Sequence, residues 1–163
     1  MDASFIGLRG SPELERNIKH ISITPLAIVD LSRRPNLPTV LGAAQFGPTA
    51  VFYHDDHAFP EASGFWVQGG RSTLVTIQRE NTSTPLTLRV HSGLIDNRLR
   101  VAAAGWETSL ALAREQPDQI EIPASERKVV TLELSAAKAF VPKEITPTAN
   151  DTRPLGVWIE VRP

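Results

Sequence analysis

The chain has 163 residues, of which 41% are hydrophobic and 21% charged, with a formal net charge of −1 and no cysteine. That length fits one domain able to bury its own core, and the charge balance argues against a nucleic-acid partner, which needs a basic field. Without cysteine there are no disulfide frameworks, CxxC redox sites or cysteine zinc sites, although the compartment stays open.

Residues 1–10 carry Asp2 and Arg9 and no apolar stretch of signal-peptide length. No apolar run approaches the roughly 20 residues of a membrane helix. The sequence as given is therefore expected neither to span a membrane nor to direct its own export, and an excised domain would read the same way. Ser11-Pro12-Glu13-Leu14-Glu15 predicts a short helix. Ser11 suits the cap, Pro12 the first helical position and the two glutamates the positive end of the dipole. The helix is expected to stop near Lys19, setting an N-terminal segment, residues 1–19, before a single β domain over residues 20–163.

His20-Ile21-Ser22-Ile23-Thr24 alternates as a half-buried strand, is broken by Pro25 and resumes over residues 26–29. Residues 33–38, rich in Arg and Pro, read as a loop. Residues 40–46 and 50–53 predict a strand pair turned at Gly47-Pro48. Phe65-Trp66-Val67 predicts a strand followed by a hairpin turn at Gly69-Gly70. Residues 72–77, 86–90 and 130–134 keep a two-residue beat; residues 98–101, 106–112 and 119–122 supply further strands, and residues 156–161 the last. Residues 106–115 include good helix formers, yet Thr108, Leu110 and Leu112 stay in step with Trp106, which favours a strand. Residues 135–140 could form one helical turn before Pro142.

Short period-two strands separated by Gly and Pro predict an all-β, antiparallel two-sheet sandwich, jelly-roll-like or alternatively immunoglobulin-like. The expected core is Ile21, Ile23, Ile28, Val40, Phe52, Phe65, Val67, Leu74, Leu88, Val90, Leu110, Leu112, Ile122, Val130, Leu132, Val157 and Ile159. Trp106 and Trp158 sit in apolar alternations and are expected to fill it too. Trp66 lies on the opposite face from Phe65 and Val67.

The most polar cluster is Tyr53-His54-Asp55-Asp56-His57, followed by Phe59-Pro60-Glu61. Its imidazoles and carboxylates are competent ligands for a divalent ion, and His54, Asp56 and His57 would serve a metal-assisted hydrolase. A His-x-x-His chelate, however, needs a helical turn or tight loop. A solvated loop hydrogen-bonded to backbone accounts equally for the composition and is the preferred reading. No Gly-x-Ser-x-Gly elbow is present. Gly69-Gly70-Arg71-Ser72 lacks the lysine of a phosphate loop, and no metal or cofactor is implied. Tyr53, Phe59, Phe65 and Trp66 surround the polar residues, and rings beside hydrogen-bonding side chains are how sandwich modules hold sugars. The candidate ligand-binding residues are thus Tyr53, His54, Asp56, His57, Trp66 and Arg71, with no catalytic residue. The asparagines of Asn81-Thr82-Ser83 and Asn150-Asp151-Thr152 match the glycosylation pattern without further support.

Three stretches taken together resemble a known class of domain. They are Val51-Phe52-Tyr53-His54-Asp55-Asp56-His57-Ala58-Phe59-Pro60-Glu61, Gly64-Phe65-Trp66-Val67-Gln68-Gly69-Gly70-Arg71, and Asn150-Asp151-Thr152-Arg153-Pro154-Leu155-Gly156-Val157-Trp158. Their order and spacing resemble the soluble C-terminal β-sandwich domains of bacterial multi-pass membrane glycosyltransferase-like proteins, over residues 21–161. The resemblance implies a non-catalytic accessory domain outside the cytoplasm, in the cell envelope, with a carbohydrate or membrane-protein partner. A structural or protein-interaction domain is the alternative. This chain departs from the pattern in lacking a membrane segment. Asp151 and Arg153 flank a turn where an ion pair or Asx-type turn could fix the register of the last strand.

Overall fold

The computed structural model of the chain describes residues 39–79, 82–123 and 127–162. The expected helix at residues 11–19, the strands at 20–24 and 26–29 with Ile21, Ile23 and Ile28, and the loop at 33–38 lie outside the described residues. Among the described residues the fold is an all-β sandwich of eleven strands and one short helix. The strands are β1 (Gly42–Phe46), β2 (Thr49–Tyr53), β3 (Ala58–Glu61), β4 (Gly64–Gln68), β5 (Ser72–Gln78) and β6 (Leu86–His91). They continue as β7 (Asn97–Ala103), β8 (Trp106–Leu112), β9 (Pro117–Ile122), β10 (Val129–Ala136) and β11 (Leu155–Arg162), and the helix is α1 (Pro142–Ile145). No helix among these residues is long and apolar enough to cross a membrane.

A six-stranded sheet runs β1-β2-β5-β10-β7-β8 and a five-stranded sheet runs β3-β4-β11-β6-β9, with antiparallel pairing between the named strands. Hairpins join β1 to β2, β3 to β4 and β7 to β8; every other connection crosses from one sheet to the other. The β1–β2 turn is Gly47-Pro48, with Gly47 at φ 58°. A glycine in the left-handed region at the first central position is the signature of the turn that matches strand twist.

The core lies between the sheets and follows strict alternation. Phe65 and Val67 of β4, Val75 and Ile77 of β5, and Val157 and Ile159 of β11 are completely buried. Each such side chain contributes about 1.5–3 kcal/mol through burial. Val40 instead is 50% exposed, before β1 begins. Phe52 and Leu74 are half-buried on the outer face, because Val51 and Tyr53 of β2 and Thr73 and Val75 of β5 occupy the inward positions. Leu110, Val130 and Trp106 pack at the rim of the core. Trp158 is buried, but it faces away from the core, between the fully buried Val157 and Ile159.

Gly69-Gly70 does not make a hairpin, since β4 and β5 belong to different sheets. Gly69 donates to Pro154 O at 3.0 Å, and Gly70 to Ala136 O at 2.8 Å. A Cβ on Gly69 would come within 2.2 Å of Ala139 Cα, and one on Gly156 within 2.6 Å of Ala136 Cβ. These glycines let three backbone segments touch where the sheets meet. The helical turn expected at residues 135–140 falls later, as α1, where Pro142 takes an early helical position and β10 runs through Ala136. β3 was not anticipated; it carries Pro60, which a sheet edge tolerates.

Candidate functional site

The polar cluster forms the corner that carries the chain from β2 to β3. Residues 54–57 bend between the two sheets, and Asp55 ties the bend to β5. Its Oδ1 accepts from Thr73 Oγ1 at 2.6 Å and from the His57 backbone N–H at 3.0 Å, while Oδ2 accepts from the Leu74 N–H at 2.7 Å. His54 is held at both ring nitrogens. Nδ1 donates to Thr39 O at 3.1 Å, and Nε2 shares a hydrogen bond with Thr76 Oγ1 at 2.8 Å. Thr76 Oγ1 is in turn hydrogen-bonded to Thr131 Oγ1 at 3.0 Å. His57 Nδ1 donates to Ser72 O at 2.9 Å, and its Nε2 lies 3.5 Å from Asp56 Oδ1. These bonds join turn chemistry to sheet geometry: the cluster is polar because a sheet-to-sheet corner leaves backbone groups that side chains must satisfy.

The six residues singled out in the sequence do not form one site. Tyr53 is 3% exposed, points into the core and meets Phe65 edge to face at 5.3 Å. Its hydroxyl has no hydrogen-bond partner among the described residues, and burial raises its pKa well above the usual tyrosine range. His54, Asp56 and His57 belong to the corner, Asp56 being exposed; Arg71 is exposed on the connection from β4 to β5. No group of three or more His, Asp or Glu able to hold a metal ion occurs among the described residues.

Trp66 leads to a different surface. Phe59 of β3 pairs with Trp66 of β4, Trp66 with Trp158 of β11, Trp158 with His91 of β6, and His91 with Pro117 of β9. One row of rings thus crosses the whole five-stranded sheet on the face turned from the core. Trp66 meets His91, Phe140 and Trp158 at centroid distances of 5.5, 5.8 and 5.4 Å, all edge to face. Gly93, at φ 68°, allows this packing, since a Cβ there would sit 2.7 Å from Phe140 and 3.1 Å from Trp66.

Over Trp66 and His91 opens a cavity of about 560 Å³. The connections after β6, β8 and β10 overhang it, contributing Gly93 and Leu94, Glu115, and Phe140, Pro142 and Asp151; the sheet contributes Glu61, Arg89, Pro117 and Leu155. Glu115 stands in the left-handed region at φ 56°, unusual for a residue with a side chain, and its N–H donates to Gly93 O at 2.9 Å. Burial, and then the charge of Arg89, hold the His91 pKa below its usual value, against the opposing pull of Glu160. The ring is therefore neutral near pH 7 and offers one donor and one acceptor.

Arg153 anchors one flank. It bonds Asp151 through Nη2 at 2.6 Å and Nε at 3.0 Å, reaches Glu61 at 2.7 Å, and lies 5.4 Å over the Phe59 ring. Hydrogen bonding by Arg153 holds the Asp151 carboxyl below the usual carboxylate range. The Arg153 N–H also donates to Asp151 Oδ1 at 2.9 Å, so both the ion pair and the Asx-type turn expected before the last strand are present. Residues 58–61, 64–68 and 155–162 are neighbours in one sheet as β3, β4 and β11, and Arg153 ties the segment before β11 to β3.

Sequence reasoning reached Trp66 but missed Arg89, His91, Glu115 and Phe140. The beat that puts Val90 inward puts His91 outward, and this was the available signal; Glu115 and Phe140 arrive from connections that no local pattern places over the sheet. Compared with protein-family models, with curated proteins and with solved structures, the chain matches none.

Proposed function

We propose that this domain is a non-catalytic carbohydrate-associated module, an accessory or binding domain of a cell-envelope glycosyltransferase system, and that its ligand surface is the cavity over Trp66. The observation that carries this reading is the cavity itself: a concave site with rings on one wall and Arg89, His91, Glu61, Glu115 and Asp151 around it. Directional donors and acceptors beside apolar ring surface are what a sugar requires. The resemblance of residues 51–61, 64–71 and 150–158 to glycosyltransferase-linked sandwiches supplies the biological setting. One ring against a sugar adds about 0.5–1.5 kcal/mol beyond area burial, so affinity is expected on the order of millimolar. Tethering to an enzyme or polymer would raise the effective concentration.

A chemical-shift titration with a panel of oligosaccharides tests the proposal. Shifts are expected at the Trp66 indole, His91 and Glu115, with the residues 54–57 corner unmoved. Silence across the panel at roughly 50 mM, a concentration well above a millimolar Kd, would overturn it. The structural or protein-interaction reading would then take its place. That second reading is favoured by the burial of Tyr53, together with Val129 and Ile145, which are 47% and 46% exposed and do not line the cavity.

A further inference from the structure

The rings of the cavity are not arranged as a flat platform. Phe140 stands at 81° to Trp66 and His91 at 85°. A platform of coplanar rings would suit the face of a pyranose. Rings meeting at steep angles instead enclose a corner, which suits a compact cation attracted to ring faces. The polar lining has the same preference. Three carboxylates, Glu61, Glu115 and Asp151, face the cavity against one guanidinium, Arg89, whose Nη1 lies 3.7 Å from Glu160 Oε2. Arg153 stands behind the lining and pairs with both Glu61 and Asp151, so the negative charge open to a ligand is chiefly that of Glu115. Glu115 is the most available carboxylate: Arg114 Nε is 3.7 Å away, and both side chains are mostly exposed at 60% and 59%. His91, neutral near pH 7, adds no competing positive charge.

We infer that the cavity takes the ammonium group of an amino sugar whose amine is free rather than acylated. The inference rests on the carbohydrate reading above and specifies its ligand. An ammonium enters a corner of rings and carboxylates, gaining both ring attraction and charge pairing. N-acetylation removes the charge and adds bulk at that point. A uronic acid would bring a fourth carboxylate to the site.

The test is a pair of titrations followed at the Trp66 indole signal, with a β-1,4-linked glucosamine trisaccharide and with its fully N-acetylated counterpart, below the pKa of the amine. The free-amine form is expected to bind at least about tenfold more tightly, with a margin that shrinks as salt is added. Glu115→Gln, an exposed change that keeps the shape of the side chain, is expected to remove most of that margin, read as the ratio of the two affinities in the variant against the same ratio in the parent; an unchanged ratio would overturn the inference. Equal affinities, or tighter binding of the N-acetylated form, would overturn the inference and leave the carbohydrate reading standing. Failure of both trisaccharides and of the neutral panel would overturn the two together.

Discussion

Asn97 shows how much of this fold is settled by single polar side chains. It is 7% exposed and uses its full amide capacity. Nδ2 donates to Lys138 O at 2.9 Å and Gly156 O at 3.1 Å, while Oδ1 accepts from the N–H groups of Arg98 and Lys138, both at 2.9 Å. The start of β7, the segment after β10 and the start of β11 are thereby joined. Asn97→Ala would leave several backbone groups without partners, and a loss on the order of 2–4 kcal/mol is expected in urea unfolding. Tyr53 is the opposite case. Its buried hydroxyl has no partner among the described residues, so Tyr53→Phe removes a desolvated group and keeps the ring. The same measurement should find Tyr53→Phe neutral or more stable by up to about 1 kcal/mol. A large loss from Tyr53→Phe, or none from Asn97→Ala, would show that these polar groups are arranged otherwise. Neither role was legible in the sequence. An asparagine before Arg-Leu-Arg gives no sign of what reaches it from residues 138 and 156. In Thr49-Ala50-Val51-Phe52-Tyr53 both parities are apolar, so alternation alone does not say which one faces inward.

At the scale of elements, the strands were legible because burial on one face imposes a period of two, and β5, β6, β7, β8 and β10 keep it. Connections were less so. Gly47-Pro48 and Gly69-Gly70 look alike as turn signals, yet one closes a hairpin and the other passes between sheets. Glycine serves a left-handed backbone at Gly47 and Gly70 and a close approach at Gly69, and sequence does not separate the two demands. Substitution does. Gly105, at φ 77° in the β7–β8 turn, has nothing within 4 Å of a new Cβ. Gly105→Ala should therefore cost only backbone strain, about 1–2 kcal/mol. Gly69→Ala places a Cβ against Ala139 Cα at 2.2 Å and Lys138 O at 2.3 Å, both backbone atoms with no flexible end to yield. A loss of more than about 3 kcal/mol, or failure to fold, is expected. Comparable midpoints for the two variants in thermal unfolding would contradict the role given to Gly69.

For the whole molecule, the sandwich both builds the cavity over Trp66 and hides it from the sequence. Local density of polar and aromatic residues pointed to residues 53–57, but a corner between sheets draws polar side chains for structural reasons, and His54 and Asp55 bond within the fold. The cavity over Trp66 is assembled from strands and connections far apart in the chain, which share a face only once the order β3-β4-β11-β6-β9 is set. Its flank is braced by Arg153, which links the segment before β11 to the edge strand β3. We propose that this cavity, and not the corner at residues 54–57, receives a sugar. A crystal structure of the domain soaked with a glucosamine oligosaccharide tests it most directly. A sugar residue is expected against Trp66, with its amine toward Glu115, Glu61 or Asp151. A sugar seated at His54 and His57, or a cavity left empty at saturating ligand, would contradict it.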